Sequence, residues 1–291
     1  MNRSRILSRA KSMVVLLALV ATTAPAAERQ VRSGLGFQLN PLGLRGEVEA
    51  TWKWRLNHST NPLLKDAHVA LGVANQSSPA YSEAQFWLEV SPLSILDVRA
   101  GANAVLYFGT FGNLMGFERY GSDFSDDARK ARKDEAVSGA GRRFYVSPVV
   151  KFRAGRFSMR AAADFEWWKM NNPPREVFFE PIRGTLLDGR GDSLWNSSTV
   201  FLCDTSRDRR ESVRIGLFHD YLKVWAAPGN VKQRLGPLAL IKLGSKRFGG
   251  RDPVLSVAVL KYLDAPNRSG VGGFAVVTMS LGGHTASPRT R

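Results

Sequence analysis

The amino-acid sequence predicts an all-β protein: an antiparallel up-and-down transmembrane β-barrel of about twelve strands, with ten as the alternative. Three observations carry this expectation. Apolar and polar residues alternate with a period of two over long stretches, which places them on opposite faces of strands. These stretches run about 10–13 residues, beyond the roughly 5–6 of ordinary soluble strands and matched to the roughly 9–11 tilted residues that cross a hydrocarbon layer. Their connections alternate between short turns and long loops, as they do in barrels that span a membrane. An open sheet edge has no hydrogen-bond partner in lipid, so such strands must close on themselves.

The clearest strand is Glu47 to Leu56, where Val48, Ala50, Trp52, Trp54 and Leu56 oppose Glu47, Glu49, Thr51, Lys53 and Arg55. Upstream, closure with an even count requires a short strand at 34–40, before Pro41. Downstream, strands are expected near 66 and 83, the latter with Ala84, Phe86, Leu88 and Val90 against Gln85, Trp87 and Glu89. Leu96 to Phe108 sets Val98, Ala100, Ala102, Ala104, Leu106 and Phe108 opposite Asp97, Arg99 and Asn103. A strand near 144 sets Phe144, Val146, Val150 and Phe152 against Tyr145, Ser147, Lys151 and Arg153. Phe157 to Trp168 repeats the pattern, with Phe157, Met159, Ala161, Ala163, Phe165 and Trp167 opposite Ser158, Arg160, Asp164, Glu166 and Trp168. Looser strands follow near 194, 212, 234, 253 and 271. Pro148 and Pro237 fall inside two of them, each removing a ladder donor. Ser91-Pro92-Leu93-Ser94 and Ala154-Gly155-Arg156 read as periplasmic turns, and 110–141 and 170–193 as external loops. Aromatic residues near strand ends (Trp52, Trp54, Trp167, Trp168, Tyr107, Phe108 and Tyr145) are expected to form interfacial girdles.

Composition narrows the class. With 41 Lys+Arg against 25 Asp+Glu the net charge is +16, and 44% hydrophobic with 23% charged residues is ordinary for a folded chain. One cysteine excludes an intrachain disulfide or a cysteine-based zinc site, and four histidines offer little to a metal. No apolar run reaches the roughly 18–20 residues of a membrane-spanning helix. Basic Arg3, Arg5, Arg9 and Lys11, the apolar stretch Met13 to Val20, and Ala24-Pro25-Ala26 make residues 1–26 a secretory signal peptide. Residues 27–281 form the single barrel domain, and 282–291 a polar tail.

In these features the chain resembles Gram-negative outer-membrane β-barrel proteins over residues 34–281. Such chains usually end on an aromatic residue, whereas this one continues past Leu281 through Gly282-Gly283-His284 to Arg291. The resemblance implies residence in the outer membrane, contact with its lipid and lipopolysaccharide, and insertion by the barrel-assembly machinery. It implies no cofactor.

Function is then sought in the lumen and the loops. The alternation points Lys53, Arg55, Arg99, Lys151, Arg153, Arg160, Arg214 and Lys242 inward, opposite Glu47, Glu49, Glu89, Asp97, Asp164 and Glu166. This describes either a narrow basic passage for small anions or a filled, passive barrel that presents its loops. Asp164 and Glu166, two apart beside Arg160, also have the spacing of an acid–base pair, though pairing with the wall's cations is the plainer expectation. Asn57-His58-Ser59-Thr60-Asn61 loosely resembles the His-x-Ser-Asn segment of outer-membrane lipid hydrolases and deacylases, with Thr60 in the nucleophile's place and His58 as its base. The same residues also read as a polar periplasmic turn. A third class, a soluble periplasmic β-protein that binds lipid, shares the strand pattern. In the loops, Ser125 caps a short helix with Asp126 and Lys130 four apart, a candidate for lipopolysaccharide phosphates. Asp188-Gly189-Arg190-Gly191-Asp192 lacks the spacing of a calcium loop. Nucleic acid is not an expected partner, because dyad-patterned strands offer no groove-reading element.

Overall fold

A computed structural model describes residues 27–205, 213–244, 248 and 253–282. The expected signal peptide, residues 1–26, and residues 283–291 of the tail lie outside them. Twelve antiparallel strands close into a barrel. In chain order they are β1 (Glu28–Leu39), β2 (Gly43–Arg55), β3 (His68–Ser77), β4 (Tyr81–Leu93), β5 (Leu96–Tyr107), β7 (Gly139–Ala154), β8 (Phe157–Met170), β11 (Asp192–Asp204), β12 (Val213–Val224), β13 (Val231–Lys242), β14 (Val254–Asp264) and β15 (Val271–Gly282). Each pairs with its neighbours in sequence, and β1 pairs with β15 to complete the ring.

The strands carry 10 to 16 residues. At about 3.3 Å per residue and a tilt near 40°, a twelve-residue strand covers about 30 Å, the thickness of a hydrocarbon core. The outer wall is apolar and bare: Leu35, Phe37, Phe86, Phe144, Phe152, Trp167, Ile215, Leu217 and Val259 are each exposed by about half. In water, apolar area on this scale would cost about 25 cal/mol per Å². It exceeds what soluble monomers leave exposed. A soluble lipid carrier needs the reverse arrangement, an apolar lumen and a polar exterior, so that reading is corrected.

Inside, side chains fit by close approach. Gly72 gives its space to the ring of Trp87, whose Cζ2 would lie 2.0 Å from an added Cβ, and Arg99 caps the other face of that ring at 3.7 Å. Pro148 and Pro237 interrupt the ladder on one side only, where the register between β7 and β8 skips 147–148 and that between β13 and β14 skips 236–237.

The two longest connections are built rather than loose. β6 (Gly116–Phe117), β9 (Val177–Glu180) and β10 (Thr185–Asp188) form a second, three-stranded sheet at the loop end of the barrel. A helix, α1 (Asp126–Ala131), packs beside it, and Ser125 Oγ accepts from Ala128 N at its start, as the sequence predicts. Leu114, Phe178 and Leu187 from these loops are buried with Tyr81, Val105, Tyr107, Trp168, Leu194 and Leu222 from the inner wall. Tyr107 and Trp168, expected in the aromatic girdle, are therefore interior residues. So is Tyr145, whose ring covers Gly101. Each sits one step out of phase with the lipid face, at Tyr107↔Tyr81, Trp168↔Arg143 and Tyr145↔Gly101.

Candidate functional site

The lumen is the candidate site, and strand alternation builds it. Cross-strand partners share a face, and every cation expected inside belongs to the inward set: Lys53 and Arg55 on β2, Arg99 on β5, Lys151 and Arg153 on β7, Arg160 on β8, Arg214 on β12 and Lys242 on β13. Asp164 and Glu166 on β8 face them. The structure brings these residues together in three tiers.

The middle tier is a dry ion network. Arg143 bridges Glu83 at 3.0 Å and Glu166 at 3.3 Å. Asn103 Nδ2 donates to Glu83 at 2.7 Å, and Trp168 Nε1 donates to Glu166 at 2.8 Å. The Glu166 side chain is fully buried. Its other oxygen contacts come from Arg183, which belongs to no barrel strand. Arg183 also lies 3.7 Å from Asp164, which accepts from Asn196 Nδ2 at 3.1 Å. Asp164 and Glu166 are thus anchors for cations, and the acid–base reading finds no free carboxylate here.

Arg183 sits at the turn of the β9–β10 hairpin, so this hairpin enters the barrel from the loop end. Three further contacts seat it. Lys232 Nζ on the wall donates to the Arg183 carbonyl at 2.6 Å, and Asn230 Nδ2 donates to the Leu186 carbonyl at 3.3 Å. Tyr107 Oη donates to Glu180 at 2.9 Å. Glu180 also accepts from the backbone N–H groups of Ile182 and Arg183, which closes the hairpin turn around its carboxyl. Burial nevertheless dominates and pushes the Glu180 carboxyl up to about 7. Neither Arg183 nor Glu180 carries a periodic signal. What the sequence does show is that 177–179 (Val-Phe-Phe) and Leu186-Leu187 are too apolar for a loop left in water.

Towards the opposite, turn end the lumen opens and its charges pair along the wall. Arg99 holds Glu89 at 2.8 Å, and His68 meets the same carboxylate at 3.3 Å. Lys151 pairs with Asp97 at 2.7 Å, while Arg153 and Arg214 share Asp204 at 2.7 and 2.8 Å. Lys53, Arg55, Arg160 and Lys242 have no carboxylate partner among the described residues. The turn end is a basic vestibule. A cavity of about 440 Å³ along β1, β2 and β15, which reaches up to Arg45 near the loop end of β2, is lined by Arg32, Arg45, Glu47, Glu49 and Thr278.

The other candidates separate. His58 and Thr60 lie in the segment between β2 and β3 at the turn end, outside the strands. Both are exposed, and neither side chain has a partner among the described residues. The segment is a run of side-chain turns: Ser59 N donates to Asn57 Oδ1, Asn61 N to Ser59 Oγ, and Leu63 N to Asn61 Oδ1. In α1, Asp126 pairs with Arg129 at 2.5 Å and with Arg268 at 3.1 Å rather than with Lys130. Arg129 is buried over the ring of Phe179 at 4.0 Å, so this helix turns its central cation inward. Asp192 accepts from Tyr120 Oη at 2.6 Å, and Asp188 pairs with Arg190 at 3.1 Å. Among the described residues no group of acidic, histidine or cysteine side chains has the arrangement of a metal site.

Closure without an edge, an apolar exterior and a charged interior define a transmembrane β-barrel of the outer-membrane type. No protein-family model matches the chain, and no curated protein matches it. Solved structures similar to it include the β domain of the Bordetella autotransporter BrkA, with 11% identity, a TM-score of 0.41, and 88% of this chain and 98% of that chain covered. The NanC porin is 6% identical with a TM-score of 0.43, covering 86% of this chain and 98% of that one. LpxR from Salmonella typhimurium is 6% identical with a TM-score of 0.37, covering 86% and 99%. These likenesses concern barrel architecture, and the activities of those proteins do not transfer.

Proposed function

We propose that the protein is an outer-membrane barrel closed at its loop end by its own β9–β10 hairpin, with the connections around this buried sheet forming a structured external surface. The observation that supports this most directly is Arg183 seated on the buried Glu166. In this reading the loop end faces outward and the basic vestibule faces the periplasm. The test is conductance of the full barrel in planar bilayers. We expect long closed periods near neutral pH; a steady open-pore current from the unmodified protein would overturn the reading. A second reading, a gated path for small anions, is supported by Lys53, Arg55, Arg160 and Lys242 of the vestibule, which have no carboxylate partner among the described residues. Brief openings with a reversal potential on the anion side would favour it, and cation-selective openings would count against it.

A further inference from the structure

The outer wall carries a feature that the lumen does not explain. Outward-facing strand positions are almost free of charge, as lipid contact demands. The exceptions among the described residues gather at the loop end: Arg142, Lys169, Lys223 and Lys261, with Asp264 as the acid. At the other end the outward charge is Arg29.

Arg142 and Lys169 stand directly opposite each other on β7 and β8. Like charges in that position repel. Both are exposed, and no carboxylate pairs with either among the described residues. One ladder step towards the middle, Phe144 faces Trp167, each 50% exposed. The next step brings Val146 opposite Phe165, whose ring lies 5.5 Å from that of Trp195 on β11. A hollow of about 590 Å³ on this face is lined by Arg142, Phe144, Trp167, Lys169, Ser193 and the carboxylate Asp192, whose oxygens accept from Tyr120 Oη and from the N–H groups of Asp188 and Ser193. From rim to mid-wall the order is therefore two cations, a pair of flat rings, then aliphatic and aromatic hydrocarbon.

We infer that this hollow binds the phosphate headgroup of a phosphorylated membrane lipid, with the acyl chains lying down the wall. The inference rests on the transmembrane reading above. A guanidinium takes a phosphate through two parallel hydrogen bonds, and an ammonium adds a compact positive charge. The anion removes the repulsion between Arg142 and Lys169. The rings below suit the amphipathic zone between headgroup and acyl chain. A free phosphate would use the cations and leave the aromatic steps without a role, so the lipid is the occupant we assign.

The full-length protein in mixed micelles is titrated with bis-phosphorylated lipid A, and the fraction carrying one bound lipid is read by native mass spectrometry. We expect half-saturation at a concentration at least tenfold lower than for the same lipid stripped of its phosphates. The double substitution Arg142→Gln with Lys169→Gln raises it tenfold or more, whereas Lys65→Gln, an exposed lysine at the turn end, leaves it unchanged. Equal binding by the double variant, or by the stripped lipid, overturns the inference. So does displacement of the lipid by inorganic phosphate at equal concentration, which identifies a free-anion site. Boiled and unboiled gel mobility checks each variant, and should the double variant misfold, Arg142→Lys decides, with an intermediate loss expected. A wild-type protein with no heat-dependent mobility shift would fail the barrel reading instead, which separates the two failures.

Discussion

Replacing Arg183 by Met tests whether the hairpin is held by its ion pair. The Arg183 side chain is 20% exposed and that of Glu166 is fully buried, so the pair sits in a poorly solvated setting. Removing one partner of a buried pair costs about 3–5 kcal/mol, because the remaining charge stays buried. Glu166 keeps Arg143 at 3.3 Å and Trp168 Nε1 at 2.8 Å, which argues for the lower end, about 3 kcal/mol. Each 1.4 kcal/mol is about a factor of ten, so the ratio of seated to withdrawn hairpin falls by roughly 100-fold. Phe178 and Leu187, still buried against the wall, keep the closed state populated. Single-barrel recordings in planar bilayers read this as the open fraction. We expect a rise of about 100-fold in Arg183→Met and an intermediate rise in Arg183→Lys, which keeps the charge but loses the two-pronged contact. An open fraction equal to that of the wild type, in a variant whose unboiled gel mobility shows an intact barrel, would refute the ion pair as the latch.

Three further outcomes follow from the same geometry. Burial raises the Glu180 carboxyl from 4.5 to about 7 in the seated hairpin. The withdrawn state therefore releases the proton first, and the hold on the hairpin weakens as pH rises from about 4.5 to about 7, by up to about 3 kcal/mol. Below that window both states are protonated and the hold is greatest. The open fraction should climb through it and then level off, and Glu180→Gln should flatten the profile; a profile unchanged by that substitution would remove Glu180 from the account. Gly72→Val places a side chain where Trp87 lies, with contacts near 2.0 Å, and should destabilise the barrel by about 1–3 kcal/mol. Urea unfolding followed by tryptophan fluorescence measures this, and an unshifted midpoint would mean that the ring moves aside freely. His58→Ala and Thr60→Ala remove exposed side chains from a run of turns, so barrel stability and the acylation of surrounding lipid should not change. Mass spectrometry of lipid extracts checks the second point, and a loss of deacylated lipid in either variant would restore the hydrolase.

The wall of this barrel was legible because one physical rule writes it: a strand between lipid and lumen must alternate, residue by residue. Lys53, Arg99, Lys151, Arg160 and Lys242 take their inward places from that rule alone, whatever they pair with. The same rule puts Tyr107 inside with Arg99 and Asn103, and it already sets Trp168 on the polar face with Asp164 and Glu166. Assigning aromatic residues to the girdle by their nearness to strand ends let residue type override phase. The closing hairpin obeys no period, because a plug is shaped by the cavity it fills. Its partners come from strands far apart in the chain: Glu166 is 17 residues from Arg183, Lys232 is 49, and Tyr107 is 73 from Glu180. Composition still marked it. Val177, Phe178, Phe179, Leu186 and Leu187 need apolar cover: Phe178 and Leu187 find it on the upper inner wall, lined by Tyr81, Val105, Leu194 and Leu222, and Val177, Phe179 and Leu186 find it against Met115, Phe117 and Phe124 of the other long connection. An apolar ring at one mouth and a charged ring at mid-depth are what a barrel needs to hold a hairpin whose sides are apolar and whose tip is Arg183. The wall sequence and the loop sequence therefore describe the same closure from its two sides.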